Sequence, residues 1–363
     1  MKQNYRLLTK NLDDSSDVLE YKALLQNGWG NNVYYSAEHL QYFAQNSDKL
    51  KYFVLEKSDV PIVLMPLVFR TITIKGKESS YFDVISPYGY NGPLFNDNIS
   101  ELDVIHFWEL IDQWYKKNNV VAEFIRFSLN QNYKGYSGNL IHTLSNVRGR
   151  FLENFDDQWT AFNSKVRNNF RKAINYNLEF RFYHKNEITK DIIKIFNDIY
   201  VDTMKRNNAD SIYFFSIEYF ENLILSNSNN FSIAIAYVEE KPISVELIIS
   251  YKDTIFAFLG GTNAEYFSHR PNDFLRVKII EWAIANNKKH YVLGGGMRDG
   301  DGLYKSKKAL FPKDEDVVFC TGRKIVNQKI YDELSLSSDP EYANIPKEDL
   351  NNHFFPYYRS INR

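Results

Sequence analysis

The feature that most limits how this chain can fold is an order of elements that occurs twice. Phe231 to Val238 is rich in β-branched and aromatic residues and reads as a strand, followed by a turn at Glu239-Glu240-Lys241-Pro242. Ile243 to Tyr251 is a second strand, Lys252-Asp253 another turn, and Thr254 to Leu259 a third strand ending at Gly260-Gly261. A loop leads to Arg270, and Pro271 suits the first turn of a helix running to about Asn286, with Leu275, Ile279, Trp282 and Ala283 on one face. A strand at His290 to Leu293, a Gly-rich loop, a short Lys-rich helix and a strand at Asp316 to Thr321 complete the unit. From Lys51 the order returns: strands at Lys51 to Glu56 and Ile62 to Ile72, a turn and strand within Thr73 to Ile85, and a loop from Ser86 to Phe95. A helix from about Ser100 to Lys117 and a strand at Val120 to Phe127 follow, and the turn-plus-Pro-Ile pair recurs as Pro61-Ile62 and Pro242-Ile243. The pattern predicts an ancient duplication of an α/β unit of α+β type, a mixed, mostly antiparallel sheet flanked by helices.

Length agrees, since 363 residues at about 150 per domain suggest two. We expect the first domain over 1–148, with the segment 330–363 packing back on it, and the second over 149–329. Lys+Arg is 44 and Asp+Glu is 45, a net charge of −1 that argues against a protein coating DNA or RNA through bulk charge. The lone Cys320 follows the apolar Val317-Val318-Phe319 and reads as a buried thiol, with no Cys-based zinc site. The longest apolar run, Pro61 to Phe69, falls far short of the ~20 residues a membrane helix needs. With no apolar leader after Met1, a cytoplasmic protein is expected.

The familiar site motifs are missing. No histidine pair has zinc-protease spacing, Gly135-Tyr136-Ser137-Gly138 is no nucleophile elbow, and no phosphate-binding P-loop occurs. Gly294-Gly295-Gly296 with Gly300 misses the dinucleotide spacing because Asp299 stands where the last glycine belongs. Asp299-Gly300-Asp301-Gly302 lacks the closing Glu of a calcium loop, with Leu310 in its place, and no metal site is expected.

A meander feeding a loop, a helix and a parallel strand is the core of the GNAT acyltransferase fold, so tandem GNAT-like domains are expected. Several segments then resemble one family, the FemA/FemB/FemX aminoacyltransferases. Ser164-Lys165-Val166-Arg167-Asn168-Asn169-Phe170-Arg171-Lys172-Ala173 resembles the basic helix opening that family's second domain, and Tyr200 to Arg206 with Tyr213-Phe214 its next helix and loop. Leu259-Gly260-Gly261-Thr262 and Leu293-Gly294-Gly295-Gly296 resemble its glycine-ended strands, and Asp301-Gly302-Leu303-Tyr304-Lys305-Ser306-Lys307 its Gly-Leu-Tyr-x-Phe-Lys signature, with Ser306 for Phe. Ser86 to Leu94 is similar to its Tyr/Gly loop. The order of these motifs, over about Asp83 to Gly322, carries the resemblance.

The resemblance implies an acyl or aminoacyl transferase acting on an amine of a cell-envelope glycan or peptidoglycan precursor, a nucleotide sugar, with Arg206 the candidate for its pyrophosphate. The donor is left open between aminoacyl-tRNA and acyl-CoA, with no resident cofactor. His269 to Leu275 lacks the glycines of the usual GNAT pyrophosphate loop, and Asp273 would repel a phosphate. Aminolysis needs a deprotonated amine, an oxyanion donor and held reactants. Lys307 and Tyr304, three apart on one helical face, are the catalytic candidates. Gly294, Gly295, Gly296, Gly261, Thr262 and Asn272 are the donor-binding candidates. Arg206, Tyr88, Tyr90, Asn91 and Tyr213 are the acceptor-binding candidates. Arg167 and Arg171 read either as a solvated helix face or as a basic edge for a phosphate backbone or the inner membrane surface. His269 reads either as a proton acceptor or as structural. The competing reading is a non-catalytic module that holds a nucleotide sugar in the same cleft.

Overall fold

The computed structural model describes residues 4–44, 48–74 and 76–360. The chain forms two compact units, Met1–Thr143 with Phe319–Arg363, and Leu144–Val318. In the first unit β1 (Tyr5–Asn11) leads to α1 (Ser15–Leu24) and α2 (Ala37–Tyr42). The meander follows as β2 (Lys49–Lys57), β3 (Val60–Ile74) and β4 (Lys77–Ile85), then the short β5 (Leu94–Phe95), α3 (Glu101–Lys117) and β6 (Val120–Arg126). Ser100 starts α3 with a capping box: its hydroxyl accepts from Asp103 N while the Asp103 carboxylate accepts from Ser100 N. The α3 side chains Phe107, Trp108, Ile111 and Tyr115 bury against Phe53, Leu55, Val63 and Met65 of the meander.

β7 (Asn139–Arg150) begins in the first unit and continues into the second from Leu144, and the second unit then runs α4 (Phe155–Ala161), α5 (Ser164–Ile174), β8 (Glu179–His184), α6 (Lys190–Arg206) and α7 (Ile217–Ser226). Its meander is β9 (Phe231–Val238), β10 (Lys241–Tyr251) and β11 (Thr254–Thr262), followed by α8 (Pro271–Ala285), β12 (His290–Gly294) and α9 (Gly302–Lys308). Phe274, Leu275, Ile279 and Ala283 of α8 pack on Ala234, Ile243, Ile248 and Ile255, the face that the apolar spacing of the helix predicts. The chain then returns to the first unit with β13 (Val317–Ile325) and α10 (Gln328–Ser338).

The two sheets share one plan. β1, β2, β3 and β4 pair antiparallel in order, β4 pairs β6 parallel, and β6 pairs β13 antiparallel. β8, β9, β10 and β11 pair antiparallel, β11 pairs β12 parallel, and β12 pairs β7 antiparallel. The last strand of each sheet arrives out of sequence order. β7 follows β6 in the chain but pairs with β12, and β13 follows β12 but pairs with β6. The strand expected at Asp316 to Thr321 as the end of the second unit therefore runs on to Ile325, and residues 321–325 are registered on Ala122–Arg126.

Beyond α10, the segment ending at residue 360 is fastened by a buried carboxylate. Asp83, fully buried, receives Arg70 at 2.6 Å on one oxygen and Arg359 at 2.6 Å on the other.

Candidate active site

The two parallel strands of the second sheet part company. β11 and β12 are in register only over Thr254–Phe256 and His290–Val292, while β11 continues to Thr262 and β12 to Gly294. Parallel strands that diverge expose their carboxyl ends as a crevice, the place where open α/β sheets take ligands. In the first unit the ladder between β4 and β6 is instead prolonged by a bridge from Asn91 to Phe127.

The end of β11 is set by α6. Thr262 N donates to Thr203 Oγ1 at 3.0 Å, and a Cβ on Gly261 would lie 2.7 Å from both Ile199 O and Thr203 Oγ1, so the helix reaches the strand only at a glycine. Arg206, in the last turn of α6, donates to Thr262 O at 2.9 Å, and its guanidinium lies 5.0 Å from the Phe267 ring. Tyr213 joins this cluster through its carbonyl, which accepts the Tyr200 hydroxyl at 2.6 Å.

The end of β12 is set by Asp301. Its carboxylate caps α9 by accepting from Tyr304 N at 2.8 Å and holds the glycine loop by accepting from Met297 N at 2.7 Å and Arg298 N at 3.1 Å. These three donors keep the carboxyl below its ordinary range, the bond from Tyr304 N foremost. The close approach of that carboxylate accounts for Gly296, where a Cβ would collide with Asp301.

Lys307 sits on this loop. Its Nζ donates to Gly295 O at 2.6 Å, and burial, aided by the Arg276 guanidinium, lowers the amine from 10.5 to about 8. Lys305, two residues away, is exposed. Tyr304, by contrast, aims its hydroxyl at Asp316, which pushes the phenol up to about 12, and Lys308 holds the other oxygen of that carboxylate at 2.8 Å. The shared helical face thus resolves into two separate engagements, Lys307 on the glycine loop and Tyr304 on Asp316.

Asn272 stands exposed at the second position of α8, behind an N-cap residue, Arg270, in the left-handed region at φ 56° with no side-chain cap. Asp273 is held by Asn169 at 3.0 Å, and burial raises its carboxyl. His269 lies in a ring cluster, 3.9 Å from Tyr176 and 5.3 Å from Tyr266. Arg171 covers the Trp159 ring at 5.6 Å, and Arg167 donates to the carbonyls of Thr160 and Phe162.

Tyr88, Tyr90 and Asn91 belong to the first unit. Asn91 is fully buried; its Nδ2 donates to Tyr34 O at 3.1 Å and its Oδ1 accepts from Gly92 N at 3.0 Å. Tyr90 packs edge-on to Tyr34 and Phe319. Tyr88 stacks near Phe43, and its carbonyl meets Nε2 of His39, whose burial lowers the imidazole to about 4. Cys320 is likewise buried, and burial raises its thiol. Among the described residues no group of three or more His, Cys, Asp or Glu could hold a metal ion, and no helix is long and apolar enough to cross a membrane.

Residues 162–306 match the GNAT acetyltransferase domain model, a span that contains the diverging strands and the glycine loop and stops one residue short of Lys307. Over that span the chain is similar to GNAT acetyltransferase domains. The chain shares the fold of FemX, with a TM-score of 0.62 at 12% identity, over 87% of this chain and 98% of that one. L-PGS from Bacillus licheniformis superposes with a TM-score of 0.55 at 14% identity, over 87% of this chain and 94% of its own. A tandem GNAT protein from the clavulanic acid biosynthesis pathway does so with a TM-score of 0.50 at 9% identity, over 88% and 98%. No curated protein matches the chain in sequence.

Sequence reasoning missed a group of buried polar residues in the second unit. Glu246 lies in β10 between Val245 and Leu247, all three buried, and Tyr291 in β12 is fully buried. The Tyr291 hydroxyl donates to Glu246 Oε1, and Arg276 Nε of α8 lies 3.5 Å from Glu246 Oε2. A carboxylate inside a strand that is apolar on both faces was the available signal, since a buried charge persists only when paired.

Proposed function

We propose that the protein moves an acyl or aminoacyl group from an activated ester or thioester to an amine of a cell-envelope glycan or peptidoglycan precursor. The acceptor is a nucleotide sugar, the donor is aminoacyl-tRNA or acyl-CoA, and the reaction takes place in the cytoplasm. The observation that carries this reading is Lys307, a half-buried amine lowered to about 8 and held at Gly295 O where β11 and β12 diverge. An amine lowered to that range is partly neutral and partly charged near neutral pH, so it can accept a proton from an incoming nitrogen and, once charged, donate to the tetrahedral oxyanion. Arg206, fixed by Thr262 O and the Phe267 face, is the cation for the acceptor's pyrophosphate. Gly261 and Thr262 end one side of the crevice and Gly294 to Gly296 the other, with Asn272 at the start of the intervening helix. The likeness in fold to FemX, and to the C-terminal domain of a proposed lysylphosphatidylglycerol synthetase from Agrobacterium fabrum, supports the aminoacyl version of the transfer.

The test is mass spectrometry of nucleotide-sugar mixtures incubated with the protein and either acetyl-CoA or charged tRNA. A mass gain of one acyl or one aminoacyl group on the sugar identifies the donor. Retention of an unmodified nucleotide sugar with no product from either donor would replace the enzyme with a binding module.

A further inference from the structure

Asp299 stands where a dinucleotide loop would have its last glycine, and the site described above leaves it without a role. β12 runs antiparallel to β7 from His290 opposite Arg150 to Gly294 opposite Val147. At Gly294 the backbone enters the left-handed region, φ 75°, and the chain leaves the ladder. Ser145 lies two residues farther along β7, so its N–H faces the same edge as that of Val147. The Asp299 carboxylate takes that donor: Oδ1 accepts from Ser145 N at 2.7 Å and Oδ2 from Ser145 Oγ at 3.4 Å. A side chain thus stands in for the carbonyl that a longer β12 would have offered. The glycine loop lies directly on the same residue, since a Cβ on Gly295 would come 2.8 Å from Ser145 O. The two carboxylates of the loop differ in what they join. Asp301 joins the loop to α9, the helix that carries Lys307, by accepting from Met297 N, Arg298 N and Tyr304 N. Asp299 joins it to β7. Lys307 Nζ donates to Gly295 O at 2.6 Å, so contacts run unbroken from Asp299 through Ser145 and Gly295 to the amine.

We propose that Asp299 is a positioning residue of the acyl-transfer site: by tying the glycine loop to β7 through Ser145 it fixes the Gly295 carbonyl, and with it the Lys307 amine, at the carboxyl end of β12. The inference rests on the acyl transfer proposed above. Asp301 alone would let the loop and α9 shift together, and Lys307 would travel with them. The bond to Ser145 refers both to a strand of the sheet. An amide N–H on a carboxylate makes a charge-assisted bond, about twice as strong as a neutral one. One such bond favours the tied form over the open form by about tenfold. A glycine at this position, as in a dinucleotide loop, would deprive Ser145 N of its acceptor and the loop of its tie. The aspartate therefore gives up a phosphate cradle for a carbonyl of fixed position.

Asp299→Ala removes the tie, whereas Asp299→Asn keeps an acceptor oxygen for Ser145 N. Amide hydrogen exchange of the intact, folded protein, with neither donor nor acceptor present, reads the bond itself. Ser145 is expected to exchange about tenfold faster in Asp299→Ala and near the parent rate in Asp299→Asn. Competitive labelling with acetic anhydride at pH 11, where lysine amines are ordinarily neutral, then reads access to each amine by mass spectrometry. Lys307 is expected to label faster in Asp299→Ala, approaching the exposed Lys305, and at the parent rate in Asp299→Asn. In a working transfer assay Asp299→Ala lowers kcat by about tenfold with KM and the unfolding temperature nearly unchanged, and Asp299→Asn restores it. Lys307 labelling unmoved by Asp299→Ala, or Asp299→Asn as impaired as Asp299→Ala, overturns the proposal. So does faster exchange spread over the whole second unit, which would mark general weakening rather than a lost tie. If exchange and labelling change as expected but the parent joins no donor to any acceptor, the acyl-transfer reading fails and the placement of the amine by Asp299 is retained.

Discussion

Lys307→Met separates what the folded state pays for this amine from what the site gains by it. The amine is lowered from 10.5 to about 8, so the folded protein resists its charge by roughly 3 kcal/mol at about 1.36 kcal/mol per tenfold change in proton affinity. The folded value lies below the unfolded one, so between pH 8 and 10.5 the unfolded chain binds more protons and stability rises with pH. Below pH 8 the full penalty is present. Methionine keeps the apolar stem and removes the penalty, but it leaves Gly295 O without its donor, a loss of about 1 kcal/mol. The expected balance is a variant about 2 kcal/mol more stable than the parent at pH 7 and about 1 kcal/mol less stable near pH 11. Urea unfolding of both proteins at the two pH values, followed by tryptophan fluorescence, measures the difference directly. A variant destabilised at pH 7, or a difference that does not change sign with pH, would show that the amine is not buried in charged form at all.

Three further outcomes follow from the geometry. Gly261→Ala forces α6 and β11 apart, because its Cβ meets backbone and hydroxyl oxygens at 2.7 Å, and should cost about 1–3 kcal/mol in thermal unfolding together with lost transfer activity. Asp83→Ala leaves Arg70 and Arg359 facing each other without their carboxylate and should cost about 3–5 kcal/mol, seen as a lower unfolding temperature and earlier proteolysis of the segment after α10. Asp301→Ala removes the acceptor for Met297 N, Arg298 N and Tyr304 N; circular dichroism should stay unchanged while kcat falls, because the glycine loop loses its shape.

Much of the scaffold was legible from local pattern. The second meander, the helix opened by Pro271 and the Ser100 start of α3 could be read because alternation, a turn residue or a cap marks each one. The strand exchange was not, since nothing in Asn139–Arg150 or Val317–Ile325 says which sheet will accept it; that is a matter of long-range pairing. The glycines of the site stand out in the sequence, but their cause does not: Gly261 is demanded by α6, and Gly296 by the Asp301 carboxylate. A motif marks Lys307, whereas Arg276 and Glu246, 30 residues apart and on different elements, meet only in the folded state. The loop at Tyr88 to Asn91 shows the limit of composition, because polar and aromatic residues suited to a sugar also suit a loop that hydrogen-bonds to its own neighbours, as Asn91 does to Tyr34 and Gly92.

The central claim, that Lys307 carries acyl transfer in the crevice of the second unit, is tested most directly by single-turnover transfer with Lys307→Ala beside Lys305→Ala, using the donor and acceptor that the mass-spectrometric screen identifies. Lys307→Ala is expected to slow the chemical step by about 10²–10³-fold, as the loss of one oxyanion donor does, with Lys305→Ala near the parent rate. Equal rates for the two variants, or a loss for Lys307→Ala confined to KM, would contradict it.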